Sequence, residues 1–416
     1  MKDIAIVGAG IAGLSAAYFL SRRHRVHLFE KDPRLGGHTH TVRVSSPEGE
    51  LALDTGFLVH NDRTYPNLVR LFRELGVETR DSDMSFAVSC RRTGLEYSSR
   101  GASGFFADRR TLFSPSHLRL LGEIVRFNHQ APALLTEPDA DGITLDEFLE
   151  ARGFSAEFVD RYLLPMAAAI WSASPLAIRD FPAVTLVRFF DNHGLLTLTS
   201  QPTWKVVVNG SHSYIPLITA PLGEHIHLSA APTAIHRSEE GATLTFADGE
   251  PKRFDHVVLA CHGDRVLSLL ANPTRAEQDV FAGFATSTNT AWLHTDVSVL
   301  PSRERAWASW NYMLAPDAGA SPMVTYDLNR LQGLSTRERY LVTLNPPVPI
   351  DERRVIGRFV YNHPLYTRDA IRSQARWNEV SGVDRLHYCG AYWGYGFHED
   401  GLNSALRVAR ALGVTW

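Results

Sequence analysis

Cysteine is scarce: Cys90, Cys261 and Cys389 are the only three in 416 residues, and no two form a C-x-x-C pair. That pattern excludes a zinc ribbon and a redox-active disulfide, and it suits a reduced compartment. Lysine is rarer still in proportion, with Lys2, Lys31, Lys205 and Lys252 alone. No stretch approaches the ~18 uninterrupted apolar residues of a membrane-spanning helix. Apolar residues begin at Ile4, which leaves no room for a secretory leader, so the expected location is the cytoplasm. Charge surplus is absent too. Lys+Arg is 42 against Asp+Glu 45, a net −3, and nothing in that balance points to a nucleic-acid partner. Eighteen histidines are present without H-E-x-x-H or clustered Cys/His spacing. His225 and His227 share a strand face but have no third ligand, so no metal is expected.

What remains is a soluble-protein balance, 44% hydrophobic and 21% charged, in a chain long enough for two domains. Its opening reads strand, glycine turn, helix, strand. Asp3 to Val7 is short and rich in branched residues, Gly8-Ala9-Gly10-Ile11-Ala12-Gly13 follows, and an Ala/Leu-rich helix runs to about Arg22. A second strand ends at Glu30. Gly8 permits the tight turn, Gly10 lets backbone approach a pyrophosphate, and Gly13 lets helix and strand pack closely. The helix amino terminus offers free N–H groups and partial positive charge to phosphate. Glu30 can accept from a ribose 2′-hydroxyl and would repel a 2′-phosphate. The motif therefore predicts dinucleotide binding without preference for NADP.

Farther along, helices are expected near 65–75, 117–135, 145–152 and 214–222. Thr144 with Glu147 forms a capping box for the third. The helix at 117–135 carries Arg119 and Arg126 on an otherwise apolar element. It is read as a cover over a substrate pocket, the other use being contact with a membrane surface. Residues 163–172 are apolar enough to line an interior. Strands are expected at 225–228, 243–246, 255–260, 290–294 and 340–344. The last segment, from Leu386, repeats the opening logic: a strand, the turn Gly390 to Gly401, then a helix over 402–412. A helix terminus at Gly401 and Leu402 would stabilise negative charge on a bound ring.

The run Glu30-Lys31-Asp32-Pro33-Arg34-Leu35-Gly36-Gly37 resembles the flavin-side extension of the amine oxidase and phytoene desaturase superfamily, in which Arg34 reaches phosphate or fixes the loop. Segments 8–37, 205–260 and 386–412 follow that superfamily's order. Gly390-Ala391-Tyr392 with 394–401, and Tyr361-Asn362-His363-Pro364, resemble a bacterial group of FAD-dependent oxidoreductases within it. The resemblance implies non-covalent FAD and an α/β chain. Its discontinuous Rossmann-like FAD-binding domain would comprise 1–80, 205–265 and 380–416, with a second, α+β substrate domain at 81–204 and 266–379. It also implies a small-molecule or lipid substrate, an apolar fatty acyl chain in the leading reading and an amine or polyamine in the alternative. Peripheral membrane contact and oligomeric state stay open.

Two departures qualify the resemblance. Amine oxidases carry a lysine on a substrate-domain strand near the flavin, and the matching residues 287–292 contain none. They also carry a tyrosine three residues before the glycine of the last helix, where this chain has His398. His398 is accordingly the candidate catalytic residue, titrating near ~6.5 and positioning substrate or moving a proton; the alternative is a histidine that only hydrogen-bonds. Cys389 is expected to be a small buried strand residue rather than a covalent flavin anchor. His38 and His40 can approach the ring, and Tyr392, Trp393, Tyr395 and Phe397 are read as packing. His363 receives no role.

Overall fold

The computed structural model describes residues 1–138, 140–197, 201–314, 323–346 and 348–416. Its first sheet is wholly parallel. In chain order the strands are β1 (Asp3–Val7), β2 (Arg25–Phe29), β3 (Ile226–His227), β4 (His256–Leu259) and β5 (Leu386–Tyr388); in space they run β3-β2-β1-β4-β5. Strands from three distant stretches of sequence thus build one sheet. Such a sheet is covered on both faces, which is why Ile4, Ile6, Val257, Val258 and Leu259 form apolar runs rather than alternating patterns. Helix α1 (Ile11–Leu20) is buried at nine of its ten positions, wedged between this sheet and α5 (His398–Ala411).

A second, mixed sheet orders its strands Val355–Leu365, Ala285–His294, Leu341–Leu344, Met323–Asp327, Trp310–Met313, Phe86–Cys90 and Leu95–Ser98. All neighbours are antiparallel except Trp310–Met313 with Phe86–Cys90. The helices α2 (Pro66–Leu75), α3 (Pro115–Gln130) and α4 (Ala183–Asn192) complete the framework used below. Among the described residues three apolar clusters result, two large and one small around Leu300, Met313 and Ile350. One large cluster gathers β1, β2, β4, β5, α1 and α5. The other gathers the mixed sheet with Leu120, Phe127, Phe148, Phe158, Ala167 and Phe190.

Local signals placed most elements. The capping box at Thr144 forms as expected: its hydroxyl accepts from Glu147 N–H at 3.2 Å and Glu147 accepts from Thr144 N–H at 2.8 Å. Boundaries moved elsewhere. The helix expected at 117–135 starts at Pro115 and gives way to a 3₁₀ turn, Ala131–Thr136, because Pro132 cannot continue the ladder. The strand expected at 225–228 is two residues long. The largest correction concerns the last helix, which begins at His398 rather than 402 because the Asp400 carboxylate caps it. Its Oδ2 accepts from Phe397 N–H at 2.9 Å.

Candidate functional site

The glycine turn after β1 separates its three glycines by what surrounds them. Gly8 sits at φ +107°, and a Cβ there would lie 2.9 Å from the Ala260 carbonyl oxygen. A Cβ on Gly13 would come within 1.8 Å of the Gly8 carbonyl oxygen. Both glycines are therefore required by the protein's own packing. Gly10 differs: a Cβ there would meet nothing within 4 Å. Beside it, α1 has no side-chain cap and no acidic residue in its first turn. The helix thus presents N–H groups outside its hydrogen-bond ladder to open space, a donor set that matches phosphate.

A second glycine pair closes onto the first. Gly36 N–H donates to the Ala9 carbonyl at 2.8 Å, and a Cβ on Gly37, at φ +57°, would lie 3.1 Å from Gly10 Cα. Glu30 is buried and ties both loops: Oε2 accepts from Ala9 N–H at 2.7 Å and Oε1 from Asp32 N–H at 3.0 Å. Its remaining lone pairs can still take a ribose hydroxyl. Arg34 takes the loop-fixing option, donating to the Gly37 carbonyl at 2.9 Å and the Thr39 carbonyl at 3.4 Å.

The closing segment meets this turn from the other side. Gly390 N–H donates to Ser404 Oγ at 2.8 Å, and a Cβ on Gly390 would strike the Tyr392 ring. Gly401 faces α1, where a Cβ would lie 2.7 Å from Ile11 Cγ2, and its N–H already donates to Phe397 O. Leu402 is wholly buried in the core. These two residues therefore set helix packing. The free donors at this terminus belong to the turn that opens at His398, which corrects the reading that placed them at 401 and 402. Asp400 lies in that turn, and burial pushes its carboxyl up to about 6 against the backbone N–H groups of Phe397 and Tyr395.

His398 is buried. Its ring stacks on Phe57 at 3.6 Å between centroids, and Nε2 lies 3.0 Å from Thr39 Oγ1 and 3.4 Å from Tyr214 Oη. Burial, with help from His60, lowers its pKa to about 3. So enclosed, the imidazole can exchange a hydrogen bond with Thr39. Cys389 is fully buried, and burial pushes its thiol up. Tyr392 and Trp393 pack on Phe284 at 4.8 and 5.0 Å.

A different histidine cluster assembles where the two sheets meet. The His38 ring lies 5.1 Å from both Tyr361 and His363 and 6.1 Å from His262, and its Nε2 is shielded from solvent without a partner. Tyr361 Oη bonds Thr55 Oγ1 at 2.7 Å and His40 Nδ1 at 2.9 Å. Burial, aided by neighbouring imidazoles and Arg34, holds His38 well below the usual imidazole range and His40 at about 4.

A chain of amides orients the cluster. Thr290 N–H can only donate, so the Asn345 atom it meets at 2.9 Å is Oδ1. Asn345 Nδ2 then donates to Asn289 Oδ1 at 2.6 Å, and Asn289 Nδ2 to His363 Nδ1 at 2.9 Å. Neutral His363 must therefore carry its proton on Nε2. Burial, reinforced by His262, sets its pKa to about 4. Asn289 sits on the Ala285–His294 strand, which contains the lysine-free residues 287–292. Sequence reading gave no role to Asn289 or Asn345 and named Tyr361 only within a motif; the one signal for the amides was a buried-strand position filled by Asn289.

Two carboxylate environments lie nearby. Asp54 is fully buried, accepting from Ser211 N–H and Oγ, both at 2.8 Å, from Thr41 Oγ1 and from Gln332 Nε2 at 3.3 Å. Burial still raises its carboxyl to about 6. A cleft of about 570 Å³ opens between the ends of α2, α4 and α5, walled by Tyr65, His193, Tyr395, Phe397, Glu399 and Asp400 among others. His225 and His227 flank the ring of His27; among the described residues no group of three or more His, Cys, Asp or Glu side chains could hold a metal ion. Among them, too, no helix is long and apolar enough to cross a membrane.

Comparison with known proteins bears on the whole arrangement. A Mycobacterium tuberculosis protein, AofH, whose name assigns it provisionally to the flavin-containing monoamine oxidases, is 24% identical over 411 residues, covering 94% of this chain and 83% of its own. A lysine-specific histone demethylase of Schizosaccharomyces pombe is 30% identical over 112 residues only, 23% of this chain and 11% of its own. Among solved structures, a putrescine oxidase bound to putrescine superposes with a TM-score of 0.69 at 18% identity, over 99% of this chain and 98% of that one. A CLA-producing fatty acid isomerase from P. acnes does so at 0.68 and 15% identity, over 98% of both. The family described as flavin containing amine oxidoreductase matches residues 11–339. With the open cradle at Gly10 between two loops that pack glycine on glycine, this match makes the chain a member of that family and an FAD-dependent oxidoreductase.

Proposed function

We propose that this flavoprotein moves a hydride between FAD and an apolar, lipid-like substrate. The observation that supports the reading is the uncharged polar cluster on the Ala285–His294 strand. Residues 287–292 hold no lysine, and the imidazoles of the cluster around Asn289, His363 and His38, are held below the usual imidazole range by burial. Among the described residues the carboxylates near that cluster are engaged: Asp54 with Ser211, Thr41 and Gln332, and Asp264 with Thr286 Oγ1 at 2.8 Å. A cation buried there would lack compensation, whereas an alkyl chain would lose nothing. The likeness in fold to a fatty acid isomerase is consistent with such a substrate.

The residues that would hold FAD are the Gly8–Gly13 turn and first turn of α1 for the pyrophosphate, Glu30 for the ribose, and Gly36, Gly37 and the opening turn of α5 for the flavin end. When bound, the flavin supplies the two-electron chemistry. The chain supplies a dry enclosure and, in His363 Nε2–H, an oriented neutral donor. His398 holds the Thr39 loop to α5 and acts as a positioning residue.

An amine substrate is the second reading. It is favoured by the 570 Å³ cleft, whose carboxylates and aromatic rings suit a cation, and by likeness to a putrescine oxidase. Glu399 and Asp400 are, however, already engaged with the N–H groups of Asn67, Leu68 and Phe397. An anaerobic titration of the FAD-loaded protein separates the two. Bleaching of the flavin absorption by a fatty acyl lipid and not by a panel of amines is expected. Bleaching by an amine alone would overturn the lipid reading in favour of the cleft.

A further inference from the structure

Helix α3 carries a surface that the flavin chemistry does not use. It follows the 3₁₀ turn Arg109–Phe113, with Pro115 in its first turn and Ser114 as cap. One face is buried through His117, Leu120, Ile124 and Phe127. A second face is apolar as well. Leu118, Leu121 and Val125 recur at helical spacing with 46%, 37% and 50% exposure, and Phe113, 88% exposed, extends the stripe past the amino end with Leu112. Five of the thirteen large apolar side chains exposed among the described residues thus fall within residues 112–125, a concentration unlike the usual scatter.

The charges of residues 101–136 left outside ion pairs are basic. Between residues 101 and 136 the only carboxylates are Asp108 and Glu123. Asp108 pairs with Arg110 at 2.7 Å and Arg303 at 2.9 Å, and Glu123 pairs with Arg126 at 3.1 Å. Arg109 and Arg119 are exposed at the stripe's margins.

We propose that this face docks on an anionic lipid bilayer. In that arrangement α3 lies in the interfacial plane, Phe113, Leu118, Leu121 and Val125 enter the acyl boundary, and Arg109 and Arg119 meet the headgroups. A second copy of the chain is a poorer occupant. A twofold contact would set each arginine pair near its own copy, with both local carboxylates already engaged. A bilayer supplies apolar depth and negative charge together. The proposal does not depend on the identity of the substrate.

The test is co-sedimentation of the full-length, FAD-loaded protein with vesicles of phosphatidylcholine alone or mixed with phosphatidylglycerol. Binding to the anionic vesicles, weaker on phosphatidylcholine and weakened by salt, is the expected result. Phe113→Ser combined with Leu118→Ser should lower the partition constant about tenfold or more. Arg109→Gln with Arg119→Gln should lower it several-fold and flatten its salt dependence. Both variants should keep the flavin spectrum and elution volume of the parent. Failure of the parent to bind anionic vesicles would overturn the proposal, as would equal binding by the serine variant. So would a parent dimer that the serine variant converts to monomer, which would assign the face to contact between copies.

Discussion

Substituting Gly10 and Gly13 separately tests the nucleotide cradle, because the structure gives the two alanines opposite costs. A Cβ on Gly13 would sit 1.8 Å from a backbone oxygen of Gly8. Neither partner is a flexible side chain, so α1 must move off β1 along a helix buried at nine positions of ten. Overpacking of that kind costs about 1–3 kcal/mol or more. It exceeds the ~1 kcal/mol an alanine gains over glycine inside a helix. A Cβ on Gly10 meets nothing within 4 Å, and its φ of −73° suits any residue. Gly10→Ala should therefore leave the FAD-free protein within ~0.5 kcal/mol of the parent. The added methyl instead occupies the space from which phosphate would approach the uncapped turn. Displacing it from two N–H donors forfeits two charge-assisted bonds of about 1.5–3 kcal/mol each, or a 10²–10⁴-fold weaker Kd for FAD. Urea unfolding of FAD-free protein and quenching of flavin fluorescence on titration supply both numbers. If Gly10→Ala binds FAD as tightly as the parent, the cradle is not where the pyrophosphate lies. If Gly13→Ala unfolds like the parent, the packing argument fails.

Further outcomes follow from the same geometry. His398→Gln should leave the pH dependence of turnover superimposable on the parent's, because the buried imidazole is neutral throughout, while His398→Ala should cost about 1–3 kcal/mol of stability. Loss of an ionisation near pH 6.5 in His398→Gln would restore a proton-moving role. Asn289→Asp places a carboxylate against His363 Nδ1 and should raise that imidazole's pKa from about 4; an unchanged NMR titration would sink the amide-chain assignment. The protein should also be acid-labile. Buried His60, His193 and His294 are held at about 4, and His387 and His398 at about 3. The stability their neutrality confers is present above the unfolded value near ~6.5 and is lost as pH falls toward ~4. Asp54 and Asp400, raised to about 6, act in the opposite sense over nearly the same window. With His40, His256 and His363 also held at about 4, the lowered histidines outnumber these two carboxylates, so the net slope destabilises the fold as pH falls. A urea midpoint that stays level or rises from pH 6.5 to 5 would refute this.

The nucleotide half was legible because its determinants are local. Gly8, Gly10 and Gly13 act within one turn, Glu30 closes the adjacent strand, and apolar runs such as 4–7 and 256–259 announce strands buried on both faces. Helix ends were less so. The start of α5 depends on whether Asp400 turns back to cap Phe397, a choice made by a side chain rather than by periodicity. That shift moved the apparent job of Gly401 and Leu402 from donating to a ligand to packing against α1.

Sequence alone determined the dinucleotide turn, the family order of its three segments and the absence of lysine from residues 287–292. Tertiary structure decided what stands there instead. Asn289, Asn345 and His363 meet because their strands pair within the mixed sheet, and tertiary packing brings His38, 325 positions from His363, into ring contact with it. It also decided that His398 is buried against Phe57 and Thr39, which lowers its pKa through an environment the residue's identity does not carry.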